Sequence, residues 1–133
     1  MVVLRLRIPL FLALGLLGPA SSSWAAGLVW ERETIEVAAQ SGQRVVHVEF
    51  PFQNAGVRAV TIVSVETSCR CTSADSSKKV YGPGERDAIR VDFAVGANEG
   101  VVEKTVTVTT DGPEPSPFIL TLRVAIPRPA TPR

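Results

Sequence analysis

The chain has 133 residues, of which 45% are hydrophobic and 20% are charged. A chain of this length forms one ordinary domain rather than two. Its 14 basic residues nearly balance its 13 acidic ones, so charge gives no support for a nucleic-acid-binding surface or a solvating acidic tail. Aromatic residues make up only 6% of the chain, which also argues against a stacking platform for single strands.

The N-terminal residues 1–25 have the pattern of a secretory signal peptide. Arg5 and Arg7 supply the positive start, and an apolar run from 8 to 17 follows them. Small residues stand at the cleavage positions in Ser23-Trp24-Ala25, which predicts a cut after Ala25. The alternative is a membrane anchor, but crossing a bilayer takes about 20 apolar residues and this run is shorter. The pattern predicts a periplasmic or secreted protein with no membrane span after signal removal.

The residues after the signal are rich in Val, Ile and Thr, and short turn sequences interrupt them. In the run 44–53, hydrophobic and polar side chains alternate, which is the pattern of a half-buried strand. Pro51 cannot donate to a ladder, which predicts a sheet edge or a bulge near this point. The alternation slips between Ile62 and Val65, which predicts a bulge or burial on both faces. Six runs are predicted as strands: 28–37, 44–53, 57–67, 88–95, 101–110 and 118–126.

This spacing predicts an all-β fold. About seven short strands in roughly 100 residues, separated by turns, are typical of an immunoglobulin-like antiparallel β-sandwich. A small barrel is the alternative. We predict one sandwich domain over residues 26–127 and a Pro-rich flexible tail over residues 128–133, because prolines are dense there.

Several segments, taken in order, carry a resemblance to a known family. They are Phe50-Pro51-Phe52-Gln53-Asn54-Ala55-Gly56, Val60-Thr61-Ile62, Ser68-Cys69-Arg70-Cys71-Thr72, Gly82-Pro83-Gly84-Glu85, Ile89-Arg90-Val91-Asp92-Phe93 and the run 104–111 after Gly100. Over roughly residues 44–125 the sequence resembles the bacterial exported family catalogued as domain of unknown function 1573, itself similar to immunoglobulin-like domains of Hydin and major sperm protein relatives. The family motif is usually Cys-Gly-Cys-Thr, and Arg70 replaces the glycine. The resemblance implies the fold and an exported location, and no established reaction.

Cys69 and Cys71 are open to three interpretations. In an extended segment their Cα atoms would lie about 6.5–7 Å apart, the outer limit for a disulfide, so a structural bridge would need a local kink. Two buried free thiols are the other structural form. A redox pair is the second interpretation, since strained bridges are easier to reduce and Arg70 would favour a thiolate. The third is a soft-metal site at Cys69 and Cys71, because two thiolates suit Cu(I).

His47 and Trp30 are the remaining candidates for a site. The alternation of its strand places His47 on the outer face, away from the cysteines, so we expect a solvent-facing side chain with a weak pH-sensitive pair to Glu49. Trp30 is expected to anchor the core or a sheet edge rather than to hold a ligand.

Enzyme motifs are missing from the sequence. The segment Gly82-Pro83-Gly84 lacks the ending of a phosphate loop, and no nucleophile elbow occurs. The single His leaves no general acid–base pair. We therefore predict an exported, non-enzymatic module that binds an unknown protein or envelope partner and needs no cofactor. The alternative is a periplasmic thiol-redox or copper protein that acts through Cys69 and Cys71.

Overall fold

The computed structural model describes residues 27–112 and 116–129. The predicted signal peptide lies outside these residues, as does most of the predicted tail. None of the described residues belongs to a helix with the length and apolarity needed to cross a membrane. The described residues form nine strands: β1 Leu28–Trp30, β2 Thr34–Ala38, β3 Val45–Asn54, β4 Val60–Thr67, β5 Thr72–Asp75, β6 Val80–Tyr81, β7 Arg86–Ala94, β8 Gly100–Thr110 and β9 Phe118–Ile126.

The strands form two sheets that face each other across the core. One sheet has the order β1-β3-β7-β5, and the other has the order β2-β9-β8-β4-β6. β2 pairs with β9 in parallel, whereas the long ladders β3–β7 and β8–β9 are antiparallel. This arrangement confirms the predicted all-β sandwich.

The sequence predicts fewer strands than the structure contains, for two reasons. The predicted run 28–37 is divided, because β1 pairs with β3 in one sheet and β2 pairs with β9 in the other. The chain changes sheets between Trp30 and Thr34. β5 lies in a mostly polar segment and β6 has only two residues, so neither shows an alternation, and pairing with β7 and β4 makes them strands. Such short edge strands depend on their neighbours more than on their own pattern.

Alternating apolar side chains fill the space between the sheets. Phe50, Phe93 and Leu120 are fully buried, and burying each such side chain contributes about 1.5–3 kcal/mol. Polar neighbours in the same strands face solvent, as the period of two requires. The fully buried apolar side chains are Phe50, Val60, Tyr81, Ile89, Val91, Phe93, Val106, Val108, Leu120, Leu122 and Val124.

The two predicted irregularities are present. The register of β4 on β8 shifts between Ile62 and Ser64, which confirms the bulge. β1 covers β3 only as far as Phe52, which lies opposite Trp30. Pro51 therefore stands where the edge of β3 becomes open, as its missing N–H predicts.

Candidate functional site

A tight turn at residues 68–71 carries both cysteines and joins β4 of one sheet to β5 of the other. Cys69 and Cys71 form a disulfide, and their Cα atoms are 5.2 Å apart. The N–H of Thr72 donates to the carbonyl of Cys69 at 3.1 Å, so the segment is bent rather than extended. The kink that a disulfide requires at this spacing is therefore supplied by the turn.

Hydrogen bonds from outside the bridge hold the turn. The Thr67 hydroxyl lies 3.0 Å from the carbonyl oxygen of Cys69 and 3.0 Å from that of Thr72. The N–H of Ser68 donates to the carbonyl of Thr105 at 3.0 Å, and the N–H of Thr105 donates to the Ser68 hydroxyl at 3.0 Å. The path of the backbone is thus fixed by contacts that do not require the S–S bond.

The two sulfur atoms have different surroundings. Cys71 packs against the hydrophobic core, and its Sγ lies 3.7 Å from the Thr72 hydroxyl. Cys69 is not part of that packing, and its Sγ accepts the N–H of Cys71 at 3.1 Å. Arg70 is exposed between them. Both cysteines are half-buried, and Cys71 is the one that contacts the core.

The second candidate feature is the open edge of β3. Residues 45–50 pair with β7 on one side, and on the other side no strand of the described residues covers them, because β1 lies opposite residues 52–54. The Pro51 carbonyl accepts the N–H of Glu31 at 3.0 Å. Backbone groups of successive residues point to opposite sides of a strand, so Val45, His47 and Glu49 direct theirs to this open side.

The outward face beside this edge is charged. His47 is exposed, and its Nδ1 lies 2.6 Å from Asp92 Oδ1 on β7. Glu49 stands opposite Arg90 in the same ladder. The predicted outward position of His47 is confirmed, but its partner is Asp92 rather than Glu49. Directly opposed side chains are about 4.5–5.5 Å apart at Cβ, closer than side chains two positions apart along one strand.

A polar cluster around Tyr81 closes the loop before β7. The buried Tyr81 hydroxyl donates to Asp87 Oδ2 at 2.8 Å, and Ser77 donates to the same carboxylate. Burial and this bond to Asp87 raise the pKa of Tyr81. Desolvation alone would raise the pKa of Asp87, but bonds from Ser77, the Ala88 N–H and Tyr81 outweigh it and lower the pKa of Asp87.

Because of this cluster, the free energy of unfolding should vary with pH in the acid range. Since the pKa of Asp87 is lower in the folded chain than its ordinary value of 3.8, its stabilisation is present above that value and is lost as pH falls through the folded value. We expect the difference in unfolding free energy between wild type and Asp87→Asn to be largest near neutral pH and to shrink on acidification. Urea unfolding of both chains at several acid pH values measures this difference. A difference that does not change with pH would contradict a lowered pKa of Asp87 in the folded chain.

Trp30 has the anchoring role that its sequence context predicts. Its ring lies at the edge strand β1, with centroids 5.1 Å from Phe52 and 5.6 Å from Phe118. These contacts join the two sheets where the chain is about to cross between them. The sequence missed Tyr81, Asp87 and the polar contacts of Asn54, because these residues lie in a two-residue strand or at a strand end, where alternation gives no signal for a polar contact.

A metal centre has limited support from the geometry. In residues 27–112 and 116–129, no three or more His, Cys, Asp or Glu side chains are grouped to hold an ion. The two sulfurs are bonded to each other, and Cu(I) would require the reduced thiolates. A Cu(I) site at Cys69 and Cys71 therefore stays a prediction for the reduced chain.

Solved structures similar to this chain share its fold. A protein of unknown function from Porphyromonas gingivalis W83 matches with a TM-score of 0.68 and 12% identity, over 75% of this chain and 46% of that one. PapD-like domain 7 of human CEP192 matches with a TM-score of 0.61 and 11% identity, over 91% and 100%. The periplasmic chaperone SfaE matches with a TM-score of 0.55 and 9% identity, over 77% and 61%. These likenesses confirm the immunoglobulin-like sandwich.

The chain spans less than half the length of the Porphyromonas gingivalis protein. No curated protein sequence matches it. The family model described as protein of unknown function, DUF1573, matches residues 28–126. This match includes the segments that carry the resemblance and extends it to β1 and β2. The chain therefore belongs to the DUF1573 family.

Proposed function

We propose that the chain is an exported, non-enzymatic module that binds a protein partner by adding a partner strand to the open edge of β3. The observation that carries this proposal is the unpaired side of residues 45–50 in an otherwise paired strand. The sequence pattern of residues 1–25 and the fold shared with a periplasmic chaperone support export. The single His and the missing enzyme motifs support a binding role rather than a catalytic one.

The open edge offers a defined set of backbone groups. His47 and Glu49 each present an N–H and a carbonyl, and Val45 presents its N–H. The Val45 carbonyl already accepts the Gln43 side chain at 2.9 Å. At the other end of the open edge, the Pro51 carbonyl already accepts the N–H of Glu31. The edge therefore accommodates a short extended segment, and main-chain hydrogen bonds would supply its affinity.

The side chains beside the edge indicate the chemistry of the partner segment. Val46, Val48 and Phe50 point into the core, whereas His47 and Glu49 point outward. An added strand would continue the inward-facing apolar side chains and the outward-facing polar side chains of β3. Its residues would therefore alternate between apolar and polar. The polar positions would lie beside one imidazole and one carboxylate, which favours residues of mixed charge over a uniformly charged segment.

Proline substitutions at the edge test this proposal. In the double variant His47→Pro, Glu49→Pro, two N–H groups are removed from the open side while the ladder to β7 is kept. The matched control is Ala74→Pro on β5, at the opposite edge of the same sheet, where the N–H also points away from β7 because the Cys71 carbonyl accepts the Ala94 N–H.

The three chains are used as baits in a bacterial envelope extract, and bound proteins are quantified by mass spectrometry. Thermal unfolding first confirms that each bait is folded. We expect at least one protein to be captured by wild type and by Ala74→Pro, and to be reduced about tenfold or more on the double variant, since each lost hydrogen bond costs about 0.5–1.5 kcal/mol. Capture that is equal on all three baits, or absent from wild type, would reject the proposal.

A further inference from the structure

The Cys69–Cys71 disulfide lies in a setting suited to thiol–disulfide exchange. We propose that it is an exchange-active bridge that oxidises a protein dithiol, in which Cys69 is the sulfur attacked and Cys71 is the leaving group. This activity goes beyond the proposed binding function and does not depend on the β3 edge. The proposal rests on the unequal surroundings of the two sulfurs, the exposed cation between them and the independent support of the turn.

The way in which a partner thiolate can approach the two sulfurs indicates which one is attacked. A thiolate attacks a disulfide sulfur in line with the S–S bond, on the side opposite the leaving group. Cys71 packs against the core, so protein atoms occupy part of the space from which its sulfur would be approached. Cys69 is half-buried like Cys71, but it is outside that packing, so fewer core atoms stand in the path of a partner thiolate that attacks its sulfur.

Charge favours the same step. The attacking group is an anion, and Arg70, which is exposed, is the residue between the two cysteines in the sequence. A nearby guanidinium attracts a thiolate and stabilises the one that leaves. The Thr72 hydroxyl, 3.7 Å from Cys71 Sγ, is placed to donate to the released sulfur.

The reaction transfers two electrons from the partner dithiol to the bridge. The first partner thiolate bonds to Cys69 Sγ, the S–S bond breaks, and Cys71 leaves as a thiolate. The second partner thiolate then attacks the first partner sulfur, forms the partner disulfide and releases Cys69 as a thiolate. The two protons lost by the partner are balanced by protonation of Cys69 and Cys71 from solvent.

The contacts around the turn should keep the chain folded whether the bridge is oxidised or reduced. One residue separates Cys69 and Cys71, so the bond restricts little of the unfolded chain and adds little entropic stability. Thr67, Ser68 and Thr105 hold the turn through hydrogen bonds that do not involve the sulfurs. The reduced chain is therefore expected to keep its fold, so that the bridge can pass between the two states.

Single-cysteine variants test which sulfur reacts. We expect the Cys69 thiol of Cys71→Ser to react with iodoacetamide at neutral pH about tenfold or more faster than the Cys71 thiol of Cys69→Ser, because thiolate character and access control the rate. Equal rates, or a faster Cys71, would overturn the assignment. Unfolding curves of both variants show whether either fold is lost, and rates are compared on folded chains.

The full oxidised chain is then mixed with a reduced peptide that contains two cysteines, and masses are followed with time. The proposal predicts an oxidised peptide, a reduced chain and a nearly unchanged unfolding midpoint. We expect Arg70→Glu to slow the reaction about threefold to tenfold, since it replaces attraction of the thiolate by repulsion. A bridge that stays oxidised in excess peptide, or a chain that unfolds on reduction, would reject the proposal. Capture at the β3 edge by Cys69→Ser shows separately whether the binding function holds.

Discussion

Replacement of Asn54 by Asp should destabilise the domain by about 2–6 kcal/mol, because a buried carbonyl and a partly buried one lose their donor. Asn54 is fully buried. Its Nδ2 donates to the carbonyls of Arg58 at 2.8 Å and Tyr81 at 2.9 Å, and its Oδ1 accepts the N–H of Gly56 at 3.0 Å. An aspartate of the same shape keeps the acceptor, removes both donors and places a carboxyl group against two carbonyl oxygens.

The matched control is the same change at the exposed Asn98, whose Nδ2 donates to the Val95 carbonyl at 2.8 Å. We expect it to cost at most about 1.5 kcal/mol, the net value of one ordinary hydrogen bond. Urea unfolding at neutral pH measures both variants. If Asn54→Asp is no less stable than Asn98→Asp, the polar contacts of Asn54 do not organise this end of the sandwich.

Tyr81→Ala should cost about 3–5 kcal/mol, the range for removing a large aromatic side chain from a core. Tyr81 is fully buried, and its ring centroid lies 4.9 Å from that of Phe52 in an edge-to-face contact. It stands in the two-residue strand β6, so the packing of its ring contributes far more than the strand does.

Tyr81→Phe separates the ring from the hydroxyl. We expect this variant to lose about 1–2 kcal/mol, because it removes the bond to Asp87 and the long bond from the Lys78 N–H at 3.4 Å, while the Asp87 carboxylate keeps other donors. Thermal and urea unfolding give both differences. An alanine variant as stable as the phenylalanine variant would show that the ring is not a principal part of the core.

The long strands could be predicted from the sequence because each is half buried. In β9 the predicted and observed bounds coincide at Phe118–Ile126, and β3 differs from the predicted run 44–53 by one residue at each end. The alternation of apolar and polar residues in these strands reflects burial on one face. β5 has no such alternation, since Thr72–Asp75 is mostly polar and is a strand because of its ladder with β7.

The candidate site could be predicted only in part. The sequence identified the cysteine pair, but the separation expected for an extended segment did not apply, because the Thr72–Cys69 hydrogen bond bends the chain. Pro51 gave a local signal for the open edge, since its ring removes an N–H. The extent of that edge depends on where β1 ends, and the crossing between Trp30 and Thr34 has no distinct sequence signal.

The partners of Asn54 were also beyond sequence reasoning. The segment Asn54-Ala55-Gly56 predicts a turn, and the bond from Asn54 to the Gly56 N–H fits that prediction. The bond to the Tyr81 carbonyl joins residues 27 positions apart. No local pattern encodes such a contact, because it exists only after both sheets have assembled.

Amide hydrogen exchange along β3 tests the binding account most directly. In the free chain we predict slow exchange at Val46, Val48 and Phe50, whose N–H groups bond to β7, and fast exchange at His47 and Glu49, whose N–H groups face the open side. When a partner captured by wild type is added, protection should appear at His47 and Glu49. If these two amides are already protected in the free chain, or stay unprotected in the complex, strand addition at this edge is wrong.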